Sequence, residues 1–184
     1  LLKTPVEIAL EANGSDIIES VVPRTPELTM LPHAEQYDAA VLFADISGFS
    51  HLAEELQKEL GDAANAAEDL SNYVGNSLNK MVEVITGAGG DVIKFAGDAI
   101  LAVFATSPGN NLAACTLTAC RVSLDLLNLD LSAGGVQLSV HSGIGVGTLL
   151  GYHVGGLNGR WEYFIAGPVI EQFGSAEKEA EAGE

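Results

Sequence analysis

The stretch Val41-Leu42-Phe43-Ala44-Asp45-Ile46-Ser47-Gly48-Phe49-Ser50 decides the fold together with a later one, Val92-Ile93-Lys94-Phe95-Ala96-Gly97-Asp98-Ala99-Ile100-Leu101-Ala102-Val103-Phe104. In each, an apolar run with strand character delivers one carboxylate at its tip. The first run ends in Asp45. The second turns tightly at Ala96-Gly97-Asp98 and returns as another apolar run, which is a hairpin signal. Burying an unpaired charge is costly, so acids flanked by hydrophobic strands call for a reason. Two carboxylates at the ends of neighbouring buried strands can hold two divalent cations side by side, an arrangement suited to phosphoryl transfer. Taken singly, either aspartate reads equally well as a turn or capping residue.

Outward from these segments the chain alternates regularly. A strand over 39–46 leads through a Ser-Gly turn into a helix over 48–60. A long helix follows over Ala63–Thr86, where Leu70, Tyr73, Val74, Ser77, Leu78, Met81, Val82 and Ile85 recur at helical spacing until the glycines from Gly87 end it. After the hairpin comes a helix over Asn110–Asn128, with Leu112, Cys115, Leu117, Cys120, Leu124 and Leu127 available for packing. Strands are expected over Gln137–Val146, 147–155 and 160–166, with a turn at Gly155–Gly159. A last helix starts at Pro168. The order β-α-α-β-β-α-β-β-α predicts an α+β fold: a mainly antiparallel sheet with helices packed on one face.

Residues 1–36, with Pro5, Pro23, Pro26 and Pro32, read as an arm carrying short helices over Val6–Glu11 and Asp16–Val22. Residues 37–184 form the domain. The start at Leu1 and the end within a helix lead to the expectation of a piece of a longer polypeptide, truncated before a further strand.

The 184 residues suffice for one domain with a core, and 47% hydrophobic content with 21 glycines describes a globular chain. No apolar run reaches transmembrane length and no signal peptide is evident, so a soluble, cytoplasmic domain is expected. Cys115 and Cys120 read as reduced and buried. A net charge of −17 argues against nucleic acid or an anionic membrane as partner. With only 8 Lys and Arg, a nucleotide substrate would need positive charge from cations, backbone amides or a second protein.

Both motifs, in this order and at this spacing, resemble the catalytic domains of class III nucleotidyl cyclases. The likeness is greatest to the first catalytic half of the bicarbonate-responsive soluble adenylyl cyclases. It extends through His141-Ser142-Gly143-Ile144-Gly145-Val146-Gly147 and Tyr163-Phe164-Ile165-Ala166-Gly167. The resemblance implies a ferredoxin-like βααββαβ core and conversion of ATP to 3′,5′-cyclic AMP and pyrophosphate. It implies two divalent cations, Mg2+ or Mn2+ with Ca2+ as a further candidate, held by Asp45, Asp98 and the main-chain carbonyl of Ile46. One would activate the ribose 3′-hydroxyl and the other would neutralise the triphosphate. Ser47, Gly48, Phe49 and Ser50 would present backbone N–H groups to the phosphates from a helix N-terminus.

The resemblance also shows what is missing. Active sites of this family lie between two catalytic halves, and the second contributes an adenine-selecting Lys, a base-selecting Asp or Thr and an Asn–Arg pair. The positions matching the last three here are Phe164, Glu171 and Ser175. Glu171 would repel phosphate and Ser175 carries no charge. The chain is therefore expected to supply the metal half and to require a second catalytic half. Lys94 and Ile165 would border a second, effector pocket. There Gly174, or Ser175 in a register shifted by one, stands where relatives place the arginine that holds bicarbonate, which leaves bicarbonate a candidate effector with little support from this chain.

Other readings remain open on the sequence. Base choice lies in the absent half, so a guanylyl cyclase half is an alternative. Gly89-Gly90-Asp91 hints at a diguanylate cyclase, but that signature belongs in the hairpin turn, which reads Ala-Gly-Asp-Ala. A non-catalytic regulatory or dimerisation module is the third, although a scaffold has no need of two clustered acids. Gly145–Gly151 lacks the spacing of a dinucleotide loop. His141, at the start of the Gly-rich strand, reads as a core or edge histidine, with an approach to the nucleotide phosphates as the alternative, and the acidic tail from Glu177 reads as a solvated helix face.

Overall fold

A computed structural model describes residues 32–61 and 63–180. The arm helices expected before residue 31 lie outside the described residues. Along the chain run β1 (His33–Ser47), α1 (Phe49–Leu60), α2 (Ala63–Gly87), β2 (Asp91–Ala96), β3 (Ala99–Ala105), α3 (Leu112–Leu127), β4 (Ser139–Gly155), β5 (Trp161–Ala166) and α4 (Pro168–Glu179). One sheet collects the strands in the order β2-β3-β1-β4-β5, and every neighbouring pair is antiparallel. The α+β class agrees with the sequence reading, and so does the order of elements once the two strands expected over 137–155 are counted as one. None of the described helices is long and apolar enough to cross a membrane.

β1 is the central strand and is apolar on both faces. Ala40, Leu42, Ala44 and Ile46 pack into a large core with Leu52 of α1, Met81 and Ile85 of α2, and Cys115, Ala119, Val122 and Leu126 of α3. Ala39 and Val41 point the other way, into a smaller core with Val103, Leu149 and Val169 of α4. A strand covered on both faces reads as a continuous apolar run, which is how Ala39–Ala44 reads. The expected layer of helices on one face describes α1–α3, and α4 adds a helix on the opposite face.

Glycines let α4 lie tight against β4. A Cβ on Gly145 would fall 2.2 Å from the carbonyl oxygen of Val169, and one on Gly143 would fall 2.4 Å from that of Phe173.

Several boundaries and exposures differ from expectation, each for a local reason. β1 begins at His33, taking in residues 33–36 of the expected arm, and pairs there with β4 from His33↔His153 onward. This half is held by polar contacts, with the Thr148 hydroxyl donating to Asp38 at 2.8 Å and the Tyr37 and Tyr163 hydroxyls 2.7 Å apart. No apolar pattern announces it. The two strands expected over 137–155 are one, because Gly147 at φ +143° continues the strand opposite Ala39. Cys115 is buried but Cys120 is exposed. Leu117 and Leu124 are 71% and 61% exposed, since the core-facing stripe of α3 is Cys115, Ala119, Val122 and Leu126.

Candidate active site

The register of β1 assembles the site. Asp45 pairs with Ala99 on one side and with His141 on the other. Ala99 follows directly on Asp98, which occupies the two-residue tip of the β2–β3 hairpin with Gly97 at φ +71°. The left-handed conformation at the tip is one that glycine adopts without strain. The two aspartates predicted to act together are therefore neighbours at one end of the sheet.

Their proximity has an electrostatic signature. The Asp45 carboxyl is held above the ordinary carboxylate range, first by burial and then by the negative charge of Asp98. His141 and the N–H of Ile46 oppose this, and Glu177 adds to it. Two like-charged oxygen donors that destabilise one another form a site that a cation relieves.

Gly48 begins α1 at φ +108°. Its carbonyl accepts from the N–H of Leu52 at 3.0 Å, and a Cβ there would lie 3.0 Å from Leu138 Cδ2. Phe49 packs against the large core and fixes the first turn. No side chain caps this helix end. Ser50 is exposed. The Ser47 hydroxyl is engaged with His141 Nδ1 at 3.0 Å.

The sequence reading missed two partners of Asp45. His141 Nε2 lies 3.5 Å from Asp45 Oδ2 and 3.3 Å from Glu177 Oε1. His141 is thus neither a plain core nor an edge histidine. Glu177, expected on a solvated face, reaches back from α4 to the strand ends. The legible signal was the register: a histidine opposite an aspartate in adjacent strands.

Lys94 and Ile165 sit on β2 and β5, the two outer strands of the sheet, with three strands between them. Ile165 packs against the smaller core, as does Leu101, the cross-strand partner of Lys94. Both residues thus belong to the face that carries α4. Phe164 stacks on Tyr152 with ring centroids 5.0 Å apart, and Glu171 and Ser175 are exposed on α4. Two grooves of about 350 Å³ lie elsewhere, one lined by Leu117, Arg121 and Asp125, the other by Tyr73, Lys80 and Ser132. Neither contains Asp45 or Asp98.

Known proteins share this fold. The model of the adenylate and guanylate cyclase catalytic domain matches residues 31–182. Human adenylate cyclase type 10 (Homo sapiens) is 34% identical over 73 residues, 40% of this chain and 4% of that protein. The match thus spans a small part of a much longer relative. Among solved structures, the adenylyl cyclase CyaB from P. aeruginosa superposes with a TM-score of 0.66 at 24% identity, covering 83% of this chain and 76% of that one. The guanylate cyclase domain of RhGC from Catenaria anguillulae, solved with GTP, gives a TM-score of 0.62 at 16% identity, covering 81% and 77%. At these identities the structural likeness concerns the fold, and the family match carries the assignment. The chain belongs to the adenylate and guanylate cyclase catalytic domain family.

Proposed function

We propose that this chain is the metal-bearing half of an adenylyl cyclase that converts ATP to cyclic AMP and pyrophosphate in the cytoplasm. The observation that carries the reading is the pairing of Asp45 with the strand that starts beside Asp98, at one end of the sheet. The similarity to adenylate cyclase type 10 favours ATP over GTP.

The donor set fits hard divalent cations. Carboxylate oxygens suit Mg2+ or Mn2+, and the repulsion that raises Asp45 is what such an ion would offset. Asp45, Asp98 and the main-chain carbonyl of Ile46 would hold them. Bound there, the cations supply Lewis-acid stabilisation of charge on the triphosphate and activation of the 3′-hydroxyl.

The chain's own residues orient the substrate. The free N–H groups at the start of α1, over Gly48, Phe49 and Ser50, suit the anionic phosphates. Ser47 is turned to His141 and contributes through its main chain. Glu171 and Ser175 offer neither an amide nor a cation, so charge for the transition state comes from a second catalytic half, on the same polypeptide or on a partner. The net charge of −17 favours a partner with cationic groups at that interface. Lys94 and Ile165 would border a second pocket at the same interface. Gly174 offers no cation at the position where the resemblance calls for an arginine, so bicarbonate is not part of the proposal.

The test measures cyclic AMP from ATP, and cyclic GMP from GTP, with Mn2+, for this chain alone and with the second catalytic half present. Asp98→Asn is the control. Cyclic AMP formed only with both halves and lost in the variant is the expected result. Full activity of the isolated chain would overturn the half-site reading. Cyclic GMP alone would overturn the choice of ATP, and no product in any arm would overturn the catalytic reading.

A further inference from the structure

We propose that Asp45, His141 and Glu177 form a second cation site, selective for a borderline transition-metal ion of the Zn2+ type, which excludes the catalytic ions by taking Asp45 from them. The inference rests on the proposed function in one respect, since Asp45 serves both sites.

Geometry carries the proposal. One donor atom from each of the three residues lies within 4.8 Å of the other two. The separations from His141 Nε2 are 3.5 Å to Asp45 Oδ2 and 3.3 Å to Glu177 Oε1. Ligands bound tetrahedrally to Zn2+ at about 2.0–2.1 Å sit about 3.3–3.4 Å apart, so two edges of such a polyhedron are nearly in place. The three side chains are 27%, 15% and 26% exposed. They are open enough to admit an ion and leave a fourth position for water.

The supporting contacts also fit a metal ligand. His141 Nδ1 is 3.0 Å from the Ser47 hydroxyl. Nε2 donates to Glu177 Oε1; a proton placed instead on Nδ1 and donated to the Ser47 oxygen would leave the Nε2 lone pair for an ion seated between it and the two carboxylates, the arrangement that orients metal-bound histidines. Asp45 and His141 are fixed as direct cross-strand partners. Glu177 is fixed because α4 lies close on β4: a Cβ on Gly143 would fall 2.7 Å from the Glu177 nitrogen.

Ligand chemistry names the ion class. An imidazole with two carboxylates suits Zn2+, Co2+ or Ni2+, whereas Mg2+ takes oxygen donors. The site at Asp45 and Asp98 has only oxygen donors, so the two sites part by metal as well as by residue. Occupation of one removes the shared carboxylate from the other.

The test titrates metal-free protein with Zn2+ by calorimetry, and with Co2+ by its visible absorption. The expected result is one Zn2+ per chain and a tetrahedral Co2+ spectrum. His141→Ala and Glu177→Gln should each weaken Zn2+ at least tenfold. Asp98→Asn should change it less than threefold while abolishing Mn2+ binding. Saturating Mn2+ should weaken apparent Zn2+ affinity in the unmodified chain. Circular dichroism verifies that each variant is folded, and Glu177→Gln, on a helix surface, tests the site without altering the sheet. Zn2+ binding indifferent to both His141→Ala and Glu177→Gln, or no Zn2+ binding, would overturn the proposal. A Zn2+ site that behaves as described beside a missing Asp98-dependent Mn2+ site would instead count against the catalytic reading alone.

Discussion

Asp45 and His141 face each other as direct cross-strand partners in β1 and β4, with Nε2 of the imidazole 3.5 Å from the carboxylate oxygen. The imidazole does not fully compensate the acid. Burial and then Asp98 still hold the Asp45 carboxyl above its ordinary value of 3.8. The Asp45 carboxylate is therefore held at some cost to the fold.

That cost has a sign. The unfolded chain loses the Asp45 proton at a lower pH than the folded chain does. Stability therefore falls as pH rises from 3.8 through the raised folded value, and stays lower above it. Asp45→Asn removes the loss. At neutral pH, without added metal, this variant should melt a few degrees higher than the parent, the modest size following from a group only partly buried. The difference should shrink as pH falls toward 3.8. Thermal melts across that range check it. An unchanged or lower melting temperature at neutral pH would mean that the pairing with His141 outweighs burial and repulsion.

A second polar cluster predicts behaviour at the alkaline end. The Tyr37 and Tyr163 hydroxyls are 2.7 Å apart, and Tyr163 lies 3.5 Å from a Glu35 carboxylate oxygen. Burial is the first cause that raises both phenols above the ordinary 10.0; the hydrogen bond from Tyr163 opposes this at Tyr37, whereas Tyr37 and Glu35 add to it at Tyr163. Acids raised in the folded state favour the fold only while protonated, so stability should decline as pH rises above 10.0. Tyr163→Phe should lose about 1 kcal/mol at neutral pH from the broken hydrogen bond. It should also show a shallower alkaline decline. Phenolate absorbance against pH, read beside unfolding, should lack one late-ionising group in the variant.

Gly48 tests the turn proposed to face the phosphates. Its φ of +108° and the 3.0 Å approach of Leu138 to a would-be Cβ leave little room for a side chain. Gly48→Ala should cost about 1–2 kcal/mol of stability. By shifting the first N–H groups of α1 it should lower turnover of the complete enzyme ~10–100-fold. Activity that falls only in proportion to folded protein would remove the turn from substrate binding.

The aspartates and the element order were legible because local rules agreed there. Apolar runs led into Asp45 and Asp98, and Ala96-Gly97-Asp98 could only turn. What was not legible was held by distant partners. The polar residues of β1 from His33 to Asp38 pair with β4 through contacts from Thr148 and Tyr163, which no local pattern encodes. A helix sequence reveals its apolar stripe but not which sheet face receives it, so Glu177 read as solvated. The hint lay in Gly143 and Gly145, spaced to line one face of a strand, which marks a close approach by another element.

That close approach yields the last prediction. A methyl on Gly145 would lie 2.2 Å from the Val169 carbonyl oxygen and 3.1 Å from the Phe173 nitrogen, both backbone atoms that no side-chain rotation can move. Gly145→Ala must lift α4 from β4, and overpacking of this kind costs about 1–3 kcal/mol. Because α4 also carries Glu177, the lift should loosen its contact with His141 and weaken Zn2+ binding along with stability. Gly75 is the matched control. It lies exposed within α2, with nothing inside 4 Å of a would-be Cβ. There Gly75→Ala should stabilise by about 0.5–1 kcal/mol through helix propensity alone. Urea unfolding of the two variants should move the midpoint in opposite directions. A Gly145→Ala protein as stable as its parent would mean that α4 is not held against the sheet at this point.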